Sequence, residues 1–434
     1  MLTLNTTNLH KVAAAHGLSK KELASTKKQL KPFLKQVHAR GQGFYTVIDD
    51  MSVVKEIEDF AKKVKGTYTD IVVLGIGGSA LGTICLQQSL RHLFENELVK
   101  RNTPKLHVLD NIDPALMLEV QDIINLKKTL FIVVSKSGGT PEILSQYMYF
   151  RKIVNTKKLI AKKHFVFITD TEKGLLREIA NDEHIPAFAV PENVGGRFSV
   201  QTAVGLLPAA LIGINIRKLL KGMQQMRDQF ASENMSENLP FQLASMQYLL
   251  NQKGKVMNVI MPYSQRLIRL ADWYRQLLAE SIGKAKNDAG ETVNVGITPI
   301  NALGATDQHS QSQLYNEGPN DKFFMFIEVE NLGKNVAIPN LLPKHNEVAF
   351  LKGISFNKLM ATEKRAMADS YTKSDRPNIT IHVPEVNEQS LGELFMLFEG
   401  ATAFLGEFYG INAFDQPGVE LSKQLTKKYL LEKK

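Results

Sequence analysis

"LFIVVSKSGGTPEILSQYMYF", residues 130–150, begins as an unbroken apolar run and continues as a helical pattern. Such a run, short and rich in β-formers, reads as a strand buried on both faces, the kind found in parallel sheets covered by helices. Thr140-Pro141 then marks a helix start, with Thr140 as N-cap and Pro141 at the first helical position. Between strand and helix lie Ser135, Lys136, Ser137, Gly138, Gly139 and Thr140. Free amides at a helix start point into such a turn, glycines let the backbone approach a ligand, and the helix dipole favours negative charge. The turn suits a phosphate. It lacks the G-x-x-x-x-G-K-[ST] spacing of a nucleotide P-loop.

Strands of the same kind recur on either side. "DIVVLGI" (70–76), "KLHVLD" (105–110) and "KHFVFITD" (163–170) are separated by stretches long enough for crossover helices, and "IPAFAV" (185–190) adds a short fifth strand. This rhythm predicts a parallel sheet with ligands outside the carboxyl ends of its strands. "TEKGLLREIA" reads as a helix capped by Thr171 or Asp170. A second α/β pattern follows an apolar helical region at 200–220 and the polar stretch 231–240. "KVMNVIMP" (255–262), "FFMFIEVE" (323–330) and "NITIHVP" (378–384) read as strands. "RLIRLADWYRQLLAE" (266–280) is a helix with Leu267, Leu270, Ala271, Tyr274, Leu277 and Leu278 on one side, and a buried helical tail begins near Leu391. The expected organisation is α/β: a first unit at 50–220, a second at 221–434 and a helical N-terminal segment at 1–49.

The 434 residues exceed what one core supports, which favours two domains of about 150 to 250 residues. Basic residues outnumber acidic ones by 53 to 44, without a like-charge block, so the net +9 gives a mild preference for anions and no nucleic-acid module. Cys85 is the single cysteine, which excludes an internal disulfide and a thiolate-rich metal site and suits a reducing compartment. The first residues lack a secretion-type apolar segment, and "GLLPAALIGINI" (205–216) is too short to span a bilayer. A cytoplasmic protein without membrane or nucleic-acid partners is expected.

A second polar turn, "GIGGSALG" (75–82), ends the first strand. Gly75, Gly77 and Ala80 fit a loose dinucleotide fingerprint, with Asp110 as a candidate ribose acceptor. Asp110 lies farther along the chain than is usual, and that reading leaves Ser135–Thr140 unexplained. Two polar turns at neighbouring strand ends suit a small phosphorylated ligand.

"ENVGGRFSVQTAVGLLP" (192–208) and "GINAFDQPGVELSK" (410–423) resemble the two signature stretches of the glucose-6-phosphate isomerase family, and the turns at 73–82 and 133–142 resemble its two sugar-isomerase loops. The resemblance runs from about residue 70 to residue 427. Gly138 and Gly139 stand where many relatives carry larger residues, and Pro417 where a tryptophan is common, which gives the chain a bacterial character. The resemblance implies two sugar-isomerase-like domains, each a parallel-type sheet flanked by helices, with helical segments at both ends of the chain. It also implies a homodimer acting on hexose 6-phosphates in glycolysis and gluconeogenesis, with neither metal nor organic cofactor. By the same resemblance, Ser135, Ser137 and Thr140 hold the phosphate, aided by Lys136. Gly78 and Ser79 line the sugar, while Glu142 and Gln416 also contact substrate. Arg197 lies beside C1 and C2, Glu280 is the base, and His309 and Lys423 handle ring opening, with His309 reaching across the dimer.

Residue chemistry agrees with these roles. Moving a proton between adjacent carbons needs one carboxylate that takes and returns it, and Glu280 ends a helix where it can do so. Arg197, after two glycines, offers a permanent charge to an enediolate without competing for protons. A histidine changes charge near neutrality and a lysine orients oxygen, so His309 and Lys423 suit opening of a cyclic sugar. No histidine pair has metal-ligand spacing. Three classes are thereby framed: a phosphosugar isomerase, a non-catalytic sugar-phosphate sensor and a nucleotide-binding oxidoreductase. A sensor would keep the phosphate turn and lose the base, arginine or lysine, all of which this chain carries.

Overall fold

The computed structural model describes residues 1–432; Lys433 and Lys434, at the end of the second expected unit, lie outside the described residues. Among the described residues twelve strands follow one another: β1 (Thr3–Asn5), β2 (Asp70–Leu74), β3 (Lys105–Leu109), β4 (Thr129–Val134), β5 (Phe165–Thr169), β6 (Ala187–Ala189), β7 (Met257–Pro262), β8 (Lys284–Lys286), β9 (Thr292–Val295), β10 (Thr298–Asn301), β11 (Lys322–Asn331) and β12 (Asn378–Glu385). The first sheet has the order β3-β2-β4-β5-β6 and is parallel throughout. In the second, the order β10-β7-β11-β12 is parallel and β1 joins β12 antiparallel. β8 and β9 form a separate antiparallel pair.

Why these segments are strands is visible in how they alternate. In β2, Ile71 and Val73 enter one core while Val72 and Leu74 enter another. In β11, Phe323, Met325 and Ile327 face that same first core, and Phe324 and Phe326 face a third. Both faces are therefore apolar, and each run reads as continuous in sequence. The inner core joins the two sheets. Its centre is the helix Glu388–Tyr409, buried from Ser390 through Phe408, which packs against the helices Ile216–Phe230 and Leu239–Gln252.

Three local expectations need correction. The N-terminal segment is not wholly helical, because β1 completes the edge of the second sheet, with Leu4 opposite Ile381. The helix after β5 runs Leu175–Glu183 and starts at Gly174, whose φ of +95° suits glycine. Asp170 instead accepts the amides of Glu172 (3.0 Å) and Lys173 (3.1 Å) in the preceding turn. The apolar region at 200–220 divides into helices Ala203–Leu211 and Ile216–Phe230.

Candidate active site

Two turns at the carboxyl ends of neighbouring strands bound the site. After β2 the chain passes Gly75 and enters a short 3-10 turn, Gly77–Ser79. A Cβ on Gly78 would lie 2.3 Å from the Gly196 carbonyl oxygen and 2.7 Å from the Arg197 amide nitrogen. Glycine here lets two backbones touch, which fixes the Arg197 loop against the first turn. The Ser79 hydroxyl, half-buried, has no hydrogen-bond partner among the described residues.

After β4 the chain folds through Ser135–Thr140 into the helix Pro141–Thr156, with Thr140 as N-cap and Pro141 in the first turn. The Thr140 hydroxyl is not spent on the helix; it shares a hydrogen bond of 2.8 Å with the Ser135 hydroxyl. The Ser137 hydroxyl accepts the Gly139 amide at 3.3 Å and keeps its own proton to donate. Glu142 occupies the first helical turn, partly exposed. Lys136 turns away from this mouth: its ammonium donates to the carbonyls of Glu192 (2.7 Å) and Val194 (2.9 Å). Burial pushes its pKa down, opposed by Asp170 and Glu192. Lys136 thus ties the phosphate-type turn to the loop that delivers Arg197.

The helix Ile268–Ile282 starts after Leu267, which is buried in the preceding 3-10 turn Gln265–Leu267; it buries the other apolar positions expected of it, together with Trp273 and Ser281, and leaves Glu280 in its last turn partly exposed. Arg197 meets it from the other side. Its guanidinium donates Nε–H to Ser281 Oγ (2.7 Å), and Nη2 to the carbonyls of Ala413 (2.7 Å) and Asp415 (2.9 Å). Nη1 donates to Gln416 Oε1 (2.8 Å) and Glu280 Oε2 (3.3 Å). The first three bonds lock the plane of the cation, and the Nη1 edge faces the exchangeable side chains. Burial pushes the Arg197 pKa down, with Glu280 and Asp415 opposing.

Sequence reasoning missed the groups that hold this cluster. Gln276 donates to Glu280 Oε1 at 3.0 Å. Lys284, buried, donates to the carbonyls of Glu280 (2.7 Å), Ser281 (3.0 Å) and Asp415 (3.0 Å). It therefore clamps the end of the Glu280 helix to the loop that carries Gln416, and burial followed by the charge of Arg197 pushes its pKa down. The available signal was spacing, since Gln276 stands four residues before Glu280 and Lys284 four after.

Two expected residues stand outside the cluster. His309, itself exposed, ends the 3-10 turn Thr306–His309, and Lys423 is exposed on the helix Glu420–Leu431, paired with Glu420 at 2.7 Å. Neither hydrogen-bonds to Arg197, Glu280 or Gln416. Among the described residues no group of three His, Cys, Asp or Glu side chains is placed to hold a metal ion, and no helix is long and apolar enough to cross a membrane.

Paired parallel sheets with a hydroxyl-lined turn at a helix start define a phosphosugar-isomerase type of α/β protein. The chain belongs to the phosphoglucose isomerase family, whose profile it matches over residues 5–434. A glucose-6-phosphate isomerase of Carboxydothermus hydrogenoformans is 48% identical over 86% of this chain and 81% of that protein. One from Rubrobacter xylanophilus is 36% identical over 94% of each. Among solved structures, a hypothetical protein from Thermus thermophilus superposes with a TM-score of 0.88 at 33% identity, covering 99% of this chain and 100% of that one. A glucose-6-phosphate isomerase from Chlamydia trachomatis shares the fold at TM-score 0.83 and 22% identity, covering 96% and 87%.

Proposed function

We propose that the reversible interconversion of glucose 6-phosphate and fructose 6-phosphate, the reaction of this enzyme's family, runs here on Glu280 as proton carrier and Arg197 as electrostatic partner. One observation carries the assignment: the locked guanidinium of Arg197 directs Nη1 at Glu280 and Gln416 together, so base and cation meet at one point. The phosphate docks on the turn Ser135–Thr140, where the hydroxyls of Ser135, Ser137 and Thr140 and the amides at the helix start converge; Glu142 flanks it. Gly78 and Ser79 line the sugar.

The ring opens first, with His309 and Lys423 serving the ring oxygen and anomeric hydroxyl. Glu280 then removes the C2 proton, and Arg197 Nη1 gives up a protein acceptor for the developing enediolate oxygen. Glu280 returns the proton to C1. No step calls on a metal or an organic cofactor. The exposure of His309 in its own chain fits a homodimer in which His309 of the partner subunit completes each site, two-fold symmetry making the exchange reciprocal. A cytoplasmic location, and units bounded near residues 50, 220 and 221, belong to the same reading.

Subunit mixing tests it. Glu280→Gln and His309→Ala chains are each nearly inactive; mixed dimers carry one doubly damaged and one intact site. With random exchange about half the dimers are mixed, so roughly a quarter of sites recover. Activity that stays at baseline after verified exchange rejects the shared histidine. Turnover that vanishes with chelator and returns with a divalent metal rejects the metal-free route.

A further inference from the structure

The two sheets repeat one arrangement. β3-β2-β4-β5 in the first matches β10-β7-β11-β12 in the second, parallel throughout. In each, the chain moves from the second strand position to the edge strand and then crosses back, and ligand crevices form at the carboxyl ends where that reversal occurs. The substrate turns occupy that crevice in the first sheet. In the second, the corresponding strand ends open into a cavity of about 510 Å³, reached by Ser264 and Arg266 after β7, by Lys334 beyond β11 and by Glu385 at the end of β12.

The cavity has the chemistry of a built site. Ser264 is 4% exposed, lines the cavity and uses its hydroxyl in no hydrogen bond among the described residues. That hydroxyl opens into the cavity and is free to pair with a ligand group in place of water. Arg266 spends only Nη1, on the carbonyls of Ser89 (3.2 Å) and Arg91 (2.7 Å), which leaves the rest of its fork for an anion. Lys334 adds a second cation, exposed at the rim. The Glu385 carboxylate, which takes one bond from Asn387 (2.6 Å), disfavours a bare anion and favours hydroxyl donors beside one.

We propose that this crevice is a second ligand site, separate from the Arg197 cluster, for a compact polyhydroxylated phosphate ester. Arg266 and Lys334 take the phosphate; Ser264 and Glu385 take hydroxyls. The helix Leu81–Leu90 begins after the Gly75–Ala80 turn and ends in this cavity at Ser89 and Leu90, so one rigid element touches both sites.

Calorimetric titration with sorbitol 6-phosphate, which has the phosphate and hydroxyls but no carbonyl to isomerise, counts the sites. The wild-type chain is expected to bind two molecules. Ser137→Ala/Thr140→Ala should leave one, and Ser264→Ala/Lys334→Ala should leave the other while turnover of fructose 6-phosphate stays unchanged. The fourfold variant should bind none. A count of one in the wild type, abolished by the Ser137/Thr140 pair, overturns the proposal, as does a count of two that survives Ser264→Ala/Lys334→Ala. The count at the second site does not depend on turnover, so failure of the catalytic assignment is read separately.

Discussion

The first sheet leaves β4 through six residues and is already in a helix at Pro141; the second leaves β11 at Asn331 and reaches its next long helix only at Phe356. The intervening stretch carries an isolated bridge between Ala337 and Ser355 and exposes Leu341, Leu342 and Phe350. Strand order is shared; the distance from strand end to helix start is not. A short turn holds amides and hydroxyls in fixed directions at a helix N-terminus, whereas a long excursion uncouples them. The comparison teaches that topology supplies a crevice twice, while the length of the following turn decides whether helix-start amides and hydroxyls or long side chains line it.

The strongest attempt to break this contrast removes the proposed base of the first crevice. Glu280→Gln should lower kcat about 10²- to 10⁴-fold, the range of a lost general base, and leave KM nearly unchanged. Solvent exchange at C2 of bound substrate should vanish with it, and its persistence would move the base elsewhere. Next, Ser137→Ala/Thr140→Ala removes two hydroxyls proposed to face the phosphate, each bond to a charged group being worth about 1.5–3 kcal/mol. Substrate affinity should fall by tens to thousands of fold, while Asn331→Ala in the corresponding turn of the second sheet leaves turnover unaltered. Equal losses in the two variants would erase the distinction between the turns.

A smaller effect sharpens the account of how the first crevice is tied to the rest. Lys284→Met deletes three bonds that clamp the Asp415 carbonyl to the Glu280 helix, and misplacement of a catalytic group costs up to about 10²-fold. We expect kcat to fall by about tenfold with little change in KM, and Lys284→Arg to restore part of it. A variant that only lowers Tm would make the lysine structural alone.

The smallest expected change concerns the helix shared by both sheets. Glu399 is fully buried on it, accepting Gln201 Nε2 at 2.9 Å, and burial raises its pKa well above 4.5. The folded chain therefore keeps a proton that the unfolded chain releases above about pH 4.5. Stability falls as pH rises from there toward the folded value, by up to about 1.4 kcal/mol per unit, and below about pH 4.5 both states hold the proton. Glu399→Gln should flatten that slope and raise Tm at neutral pH, measured by thermal melts between pH 4 and 8. An unchanged slope would assign the pH dependence to other groups.

Most of the fold was legible because its strands are apolar on both faces. β2, β4, β5, β7, β11 and β12 fall within two residues of their sequence-based limits at both ends. β1, with Thr-Leu-Asn, and β8, with Lys-Ala-Lys, carry no such run and owe their pairing to partners far along the chain or to a local hairpin. The cluster was legible in part. Arg197 and Gln416 sit in long signature stretches and Glu280 ends a helix of clear apolar period, but Lys284 acts through three backbone carbonyls, and a carbonyl leaves no trace in side-chain identity. Nor could sequence show that Lys136 would spend its ammonium on the 192–194 loop.

The three residues of β1 have a consequence for how the fold closes. Their partner β12 lies far along the chain, and the amide of Leu2, which donates to Glu393 Oε2 at 2.9 Å, reaches farther still. Pairings of such long range close late in folding, and until they close the outer edge of β12 is a bare template for a neighbouring chain. Partly folded molecules at high concentration are thus the condition under which this fold is most exposed to mispairing.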